Sequence, residues 1–176
     1  RYWMLEISLV ALATAMFSVS LSLIPLFTEK GMTYELAALA LGLLGAGQVI
    51  GRLLYMVIPH TAAPWVPLVT TTGLSAFSIA LLALVPGPPW LLISIGILAG
   101  AVRGAQPLVQ GSAAADRWGT RNYGAINGII AAPLTIVTAF GPSLGPLLAV
   151  ATGSYSSMAL MAVGLALVAL IFARFS

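Results

Sequence analysis

Six long runs of mostly apolar residues account for nearly the whole sequence, with short breaks between them. A chain that crosses a bilayer must satisfy its backbone hydrogen bonds internally, and an α-helix does so with about 20 apolar residues. The connections are too short to hold a separate soluble domain. The sequence therefore predicts an all-α integral membrane protein that forms one domain over residues 1–176. Its six transmembrane helices are expected at about residues 6–28, 34–58, 64–86, 89–112, 123–149 and 155–174.

Composition excludes several classes of protein. Hydrophobic residues make up 60% of the chain and charged residues 6%, whereas soluble domains are about 25% charged. With no cysteine and a single histidine, disulfide frameworks, thiol catalysis and cysteine or histidine metal centres are excluded. We accordingly expect no cofactor and no metal. The net charge of +3 is scattered along the chain, so we expect no nucleic acid partner, which would need a basic stripe.

Basic residues collect at alternate ends of the predicted helices, and such residues favour the cytoplasmic side of a membrane. The opposite side has only Lys30, flanked by Glu29 and Glu35. We expect both termini in the cytoplasm and the helices in the plasma (inner) membrane. The sequence begins at Arg1 with no visible signal peptide, so we interpret it as a piece of a longer protein. The cytoplasmic set comprises Arg1, Arg52, Arg117, Arg121 and Arg174.

Arg103 is the one ionisable residue well inside a predicted helix, more than halfway along the fourth. An unpaired cation in lipid costs several kcal/mol, so this side chain is expected to face a wet cavity or a partner helix. The small neighbours Gly104 and Ala105 and the amides Gln106 and Gln110 favour that interpretation. The alternative is an arginine that extends toward the cytoplasmic headgroups.

Two further helices offer polar faces. Gln48 and Arg52 lie four residues apart on one side of the second helix, and Thr14, Ser18 and Ser22 repeat every fourth residue in the first. Both sets are candidates to line a polar cavity. The alternatives are an Arg52 that anchors the helix end and hydroxyls that bond back to their own helix. Close packing of the second helix is predicted by Gly42, Gly47 and Gly51.

The fifth helix contains two prolines and two glycines within a six-residue stretch, which predict a bend or a broken helix. Such a feature serves as a hinge in transporters or as a static packing kink. The residues are Gly141, Pro142, Gly145 and Pro146.

These features together resemble the C-terminal half of a major facilitator superfamily transporter, over nearly the whole chain. The family's Arg-x-x-Gln-Gly motif is similar to Arg103-x-x-Gln106, with Pro107 in place of the glycine. The family's antiporter motif is echoed, with its spacing kept, by Gly128, Val137, Gly141, Pro142, Gly145 and Pro146.

Two loops refine the resemblance. The stretch from Asp116 to Gly124 looks like a loop of monocarboxylate and related organic-anion porters. In the eighth of their twelve helices, those porters place an aspartate four residues before an arginine. In the corresponding helix, the second of this chain, Gln48 lies four residues before Arg52. The family's cytoplasmic loop signature is eroded, because Pro59 and His60 stand where its acidic residue falls.

The resemblance implies a twelve-helix transporter made of two six-helix halves, each built from two inverted three-helix repeats. This chain would supply the last six helices, and the N-terminal half, the lipid bilayer and a small-molecule solute would be its partners. The solute, anionic or polar and organic, would move by alternating access. Residues near it would be Thr14, Ser18, Ser22, Arg103 and Gln106, with Arg52 and Gln48 at the border.

Two further expectations concern proton coupling and the outer surface of the bundle. All four acidic residues lie near the ends of the predicted helices, so we expect no embedded carboxylate in this half to carry a proton. One face, formed by parts of the first, second, fourth and fifth helices, should lack a partner within the chain.

Other classes fit less well. An intramembrane serine protease would need Ser75 beside a base, and the only histidine, His60, is far along the chain in a predicted loop. We therefore expect no enzyme. The paired Asn-Pro-Ala motifs of an aquaporin-like channel do not occur. Two alternatives stay open, a six-helix half-transporter that acts as a homodimer and half of a drug efflux antiporter.

Overall fold

The computed structural model describes residues 2–57 and 63–176, and every element within those ranges is an α-helix. Six of its helices are long and apolar enough to cross a membrane, which confirms the all-α membrane class. The predictions that concern Arg1, Pro59 and His60 lie outside the described residues. The helices are α1 (Tyr2–Leu21), α2 (Leu23–Glu29), α3 (Tyr34–Val57), α4 (Val66–Leu84), α5 (Pro89–Trp118), α6 (Tyr123–Thr152) and α7 (Tyr155–Arg174).

The fourth predicted helix is longer than the sequence indicated. Asp116 and Arg117, expected in a turn, belong to the last turns of α5. The helix continues to Trp118. It is ended by Gly119, whose positive φ of 75° is a conformation that glycine tolerates. Hydropathy ended the prediction too early because a helix continues through polar residues until its backbone meets a breaker.

The first predicted helix is interrupted, and Pro25 explains the position. Proline lacks an N–H and its ring crowds the carbonyl four residues earlier, which here belongs to Leu21. The chain accordingly turns at Ser22, and α2 starts at Leu23. A bend or a break was expected in the fifth helix; the break is wrong, because α6 stays helical through Pro142 and Pro146.

The six long helices alternate in direction along the chain, and α2 continues the course of α1. Each end of the bundle therefore has its own set of side chains. At one end, which we call the arginine end, the Tyr2 ring lies 6.4 Å from the Trp118 ring and Arg117 donates to Ser176. At the other, which we call the Glu29 end, Glu29 accepts hydrogen bonds from the start of α7. The alternation expected from the basic residues is therefore present in the fold.

The pairing of helices repeats within the bundle. The contact between α3 and α5 corresponds to that between α1 and α6. The contact between α1 and α7 corresponds to that between α4 and α5, and α4 also packs along α7. Exchanging α1 with α5, α3 with α6 and α4 with α7 leaves this set of pairs unchanged. The bundle thus contains two three-helix sets, one made of α1, α3 and α4 and the other of α5, α6 and α7. Each set crosses the bundle three times, so the second set begins at the opposite end and is inverted relative to the first.

Small residues bring these helices together. α7 presents one buried alanine face to α1 and α4, made of Ala159, Ala162, Ala166, Ala169 and Ala173. Between α3 and α5 the close contacts are glycines, which is typical of membrane helices whose backbones approach directly. The packing glycines expected on α3 are thus confirmed at Gly47 and Gly51, whereas Gly42 has open space around it.

Candidate functional site

Arg103 lies midway along α5, about 20 Å from either end at 1.5 Å per residue. Its side chain is half-buried, and its guanidinium carbon lies 4.5 Å from the centre of the Phe17 ring on α1. A guanidinium stacked on an aromatic face gains about 0.5–2 kcal/mol, more as water is removed. The charge is therefore held at depth against a neighbouring helix and does not extend to an end of the bundle.

A glycine packing surface fixes the backbone that carries Arg103. A Cβ at Gly104 would overlap the Gln48 carbonyl, and one at Gly51 would overlap the Ala101 carbonyl. The same relation holds on the next turn, where a Cβ at Gly100 would overlap the Leu44 carbonyl. α5 cannot slide or rotate against α3 without losing these contacts, so the position of Arg103 is set by backbone packing.

Phe17 connects this arginine to α6. A Cβ built at Gly141 would lie 3.4 Å from the Phe17 Cβ, which is ordinary contact with little room to spare. Gly145, one turn later, lies against Ser18 and Ser22. Both predicted glycines therefore act in packing, whereas Pro142 and Pro146 are exposed.

The structure separates the predicted partners of Arg103. Gln106 donates from Nε2 to Ser75 Oγ at 3.3 Å and so turns toward α4. Gln48 is half-buried, with its backbone carbonyl against Gly104, and Arg52 is exposed. Among the predicted residues, Gln48 takes part in the α3–α5 contact through its backbone, while Gln106 lines a cavity of about 30 Å³ with Thr71 and Gln110.

The hydroxyl stripe of α1 is mostly packed. Thr14 is half-buried and donates to the Val10 carbonyl at 2.8 Å. Ser18 and Ser22 are fully buried against Gly145, so they cannot touch a solute in this conformation. The cavity-lining expectation is corrected for these two serines, because glycine at position 145 lets α6 close over them.

Glu6 is a site residue that the sequence analysis missed. Its side chain is 5% exposed, and neither carboxyl oxygen has a hydrogen-bond partner among residues 2–57 and 63–176. The one described titratable side chain that interacts with it is Tyr2, a helical turn earlier. The expectation of no embedded carboxylate is therefore wrong. It failed because α1 begins at Tyr2, four residues before the predicted boundary, and so takes Glu6 into the bundle.

Two adjacent charges join three helices at the Glu29 end. The Glu29 carboxylate accepts from the backbone N–H of Tyr155 at 2.7 Å and of Ser156 at 3.1 Å. Lys30 Nζ donates to the carbonyls of Ala83 at 3.0 Å and Val85 at 2.9 Å. Carboxylates suit helix N-termini and ammonium groups suit C-termini, so the pair ties the start of α7 to the end of α4.

These contacts shift the titration of both groups. Partial burial alone would raise the pKa of Glu29, but the hydrogen bonds from Ser156 and Tyr155 and the nearby Lys30 charge lower it below the ordinary value. Burial lowers the pKa of Lys30, and the Glu29 charge opposes that shift. Glu29 is therefore held in its charged form at the helix start.

The arrangement places one cation at mid-depth in a bundle of apolar helices. No family model matches this chain, and no curated protein matches its sequence. The plain conclusion is an all-α integral membrane protein with six long helices, one of which carries a half-buried arginine at its middle.

Proposed function

We propose that this chain is the C-terminal half of a major facilitator superfamily transporter that moves a small anionic or polar organic solute by alternating access. The observation that carries the proposal is the depth of Arg103, whose guanidinium is stacked on Phe17. Arginine pairs with carboxylate or phosphate through two parallel hydrogen bonds, which favours an anionic solute.

No carboxylate of the chain is placed to neutralise Arg103. The nearest acid along its own helix is Asp116, about 20 Å further on at 1.5 Å per residue. Glu6 and Glu29 lie about 16 Å and 18 Å along the chain from Phe17 by the same measure, and no charged side chain among the described residues interacts with Arg103. The charge is therefore available to a solute.

The inverted pairing of the two three-helix sets supports this family. Secondary transporters built from such repeats hold their solute near the middle of the membrane, which is the depth of Arg103. The same arrangement would let one six-helix half rock against another around that site.

The faces of α3 and α6 support a partner half. The buried share of these spans is 28% and 22%, the two lowest of the six candidate spans, against 33% in α7 and 50% or more in α1, α4 and α5. Gly45 of α3 and Gly128 of α6 have nothing within 4 Å of a built Cβ, so a second bundle could approach closely there. These are two of the helices expected to lack a partner within the chain.

Glu6 supports coupling to protons within this half. A carboxyl group that is enclosed in a membrane bundle, with Tyr2 as the titratable side chain that interacts with it among the described residues, is a functional candidate, because an ionised form would be costly there. Proton uptake and release at Glu6 would then accompany the change between inward-facing and outward-facing forms.

Transport by the full-length protein in proteoliposomes tests the proposal. The probe is radiolabelled lactate, chosen as a small carboxylate, with the uncharged lactamide as the competitor that should not inhibit. We expect Arg103→Gln to reduce uptake at least tenfold and Arg103→Lys to retain a part, since an ammonium keeps the charge but loses the paired geometry. Arg121→Gln, which removes an exposed charge, is the matched control.

Two results would overturn the proposal. If both Arg103 variants took up lactate and other small carboxylates at the wild-type rate, the arginine would have no part in the solute path. A mass of the active unit equal to two copies of this chain, with no second six-helix half, would favour the homodimer alternative.

A further inference from the structure

A second cavity lies at the arginine end, well away from Arg103. It has a volume of about 440 Å³ and is formed where the start of α4 meets the ends of α5 and α7. Its walls include two arginines, Arg117 and Arg174, and two indoles, Trp65 and Trp118. This size is within the range of sites for small ligands.

The two guanidinium groups are held in place by neutral partners. Arg174 stacks on Trp65, with its guanidinium carbon 4.3 Å from the ring centre. Arg117 donates to the Ser176 hydroxyl at 2.9 Å and to the Ala113 carbonyl at 3.4 Å, and its enclosed Nε has no partner among the described residues. Neither contact supplies a negative charge, and the charge that acts on Arg117 is that of the neighbouring Asp116.

The charge balance of the cavity is positive. Asp116 is the only acidic residue in its walls, and it is exposed. No acidic residue occurs among residues 58–62 of the sequence. Among the described side chains of the walls, two arginines against one carboxylate leave a net charge of +1.

We infer that this cavity binds a phosphate group, that of an anionic phospholipid headgroup at the membrane surface. Guanidinium groups match phosphate oxygens in geometry as well as charge. Indoles at the ends of membrane helices lie at headgroup level, and basic pockets between such helices accept lipid phosphates. A soluble phosphate would satisfy the same groups, so the test separates the two sources. The inference is independent of the proposed transport function.

The test uses the full chain in nanodiscs and in detergent. In nanodiscs the probe is phosphatidylglycerol against phosphatidylcholine, with retained lipid counted by native mass spectrometry. In detergent the probe is inorganic phosphate, followed by thermal unfolding. We expect phosphatidylglycerol to be retained preferentially, and Arg174→Gln or Arg117→Gln to weaken that preference about fivefold each.

Arg121→Gln is the matched control, because it removes an exposed arginine near the same end but outside the cavity walls. It should keep the preference. Arg174 is exposed, and the contact that its guanidinium makes among the described residues is with the Trp65 ring, so its variant reports on binding even if Arg117→Gln fails to fold.

Each outcome decides the inference. Stabilisation by inorganic phosphate with the same dependence on Arg174 keeps the site and assigns it to a soluble phosphate. An equal loss in Arg121→Gln, or a lipid preference unchanged in both cavity variants, overturns it. So does a failure of both probes to bind the wild-type chain.

Discussion

The guanidinium carbon of Arg103 lies 4.5 Å from the centre of the Phe17 ring, and this contact links α5 to α1 at the middle of the bundle. Phe17 in turn lies against Gly141 of α6. A solute that pairs with the arginine would therefore meet a surface shared by three helices, and a change in the Arg103–Phe17 contact would be transmitted to α6.

A double-mutant cycle measures that contact. Arg103→Gln, Phe17→Leu and the double variant should show a coupling of about 0.5–2 kcal/mol in the free energy of unfolding, because a cation stacked on a ring loses its partner in either single variant. The control cycle pairs Arg103→Gln with Phe77→Leu, an exposed ring on α4. Equal coupling in both cycles would contradict a specific contact.

The glycine contact between α3 and α5 predicts opposite effects at a packed glycine and at an open one. Gly51→Ala would drive a Cβ into the Ala101 backbone and should destabilise the protein by about 1–3 kcal/mol. Gly164→Ala on α7 meets open space, away from the faces assigned to a partner half, and should stabilise the protein by up to about 1 kcal/mol, because alanine favours helix. Unfolding in detergent checks both, and similar effects at the two positions would argue against the packing described.

Replacement of Glu6 by an apolar residue should raise the stability of the protein. Glu6→Met removes a buried carboxyl that has no hydrogen-bond partner among the described residues and should stabilise the fold by about 1–3 kcal/mol. Glu35→Met, at an exposed position, should not. The same Glu6 variant should lose any dependence of uptake on a pH gradient. A loss of stability would show that the interaction with Tyr2 outweighs the cost of burying the carboxyl.

Glu29 predicts acid sensitivity at the opposite end of the bundle. Its folded-state pKa is lowered, so its contribution is fully present above the ordinary glutamate pKa of about 4.3 and is lost as the pH falls through the folded value. That contribution should be about 0.3–1 kcal/mol, because the group is largely exposed and screened.

Thermal unfolding at pH 7 and at pH 3 measures this effect. Glu29→Gln should lower stability at pH 7, and its difference from the wild type should shrink as the pH falls through the lowered folded-state pKa of the carboxyl. Glu35→Gln is the matched control on α3. A difference between wild type and Glu29→Gln that persists unchanged at pH 3 would contradict the role of charge.

The number of long helices, their alternation and the depth of Arg103 could be predicted from the sequence. Run length against bilayer thickness determines the helices, and each charge must lie at an end or be sheltered. The glycines at positions 47 and 51 likewise predicted a close helix contact, since glycine is favoured where membrane helices approach. These features depend on local composition, which needs no knowledge of neighbours.

The tertiary structure decided which face of each helix is inside. Gln106 turns to Ser75, Ser18 and Ser22 are closed off by Gly145, and Glu6 is enclosed. In a soluble protein an apolar stripe marks the inner face, but lipid is as apolar as a protein core, so the sequence of a membrane helix leaves its rotation open. Only the packing of small residues against particular carbonyls sets that rotation, and it thereby determines which polar side chains reach a solute.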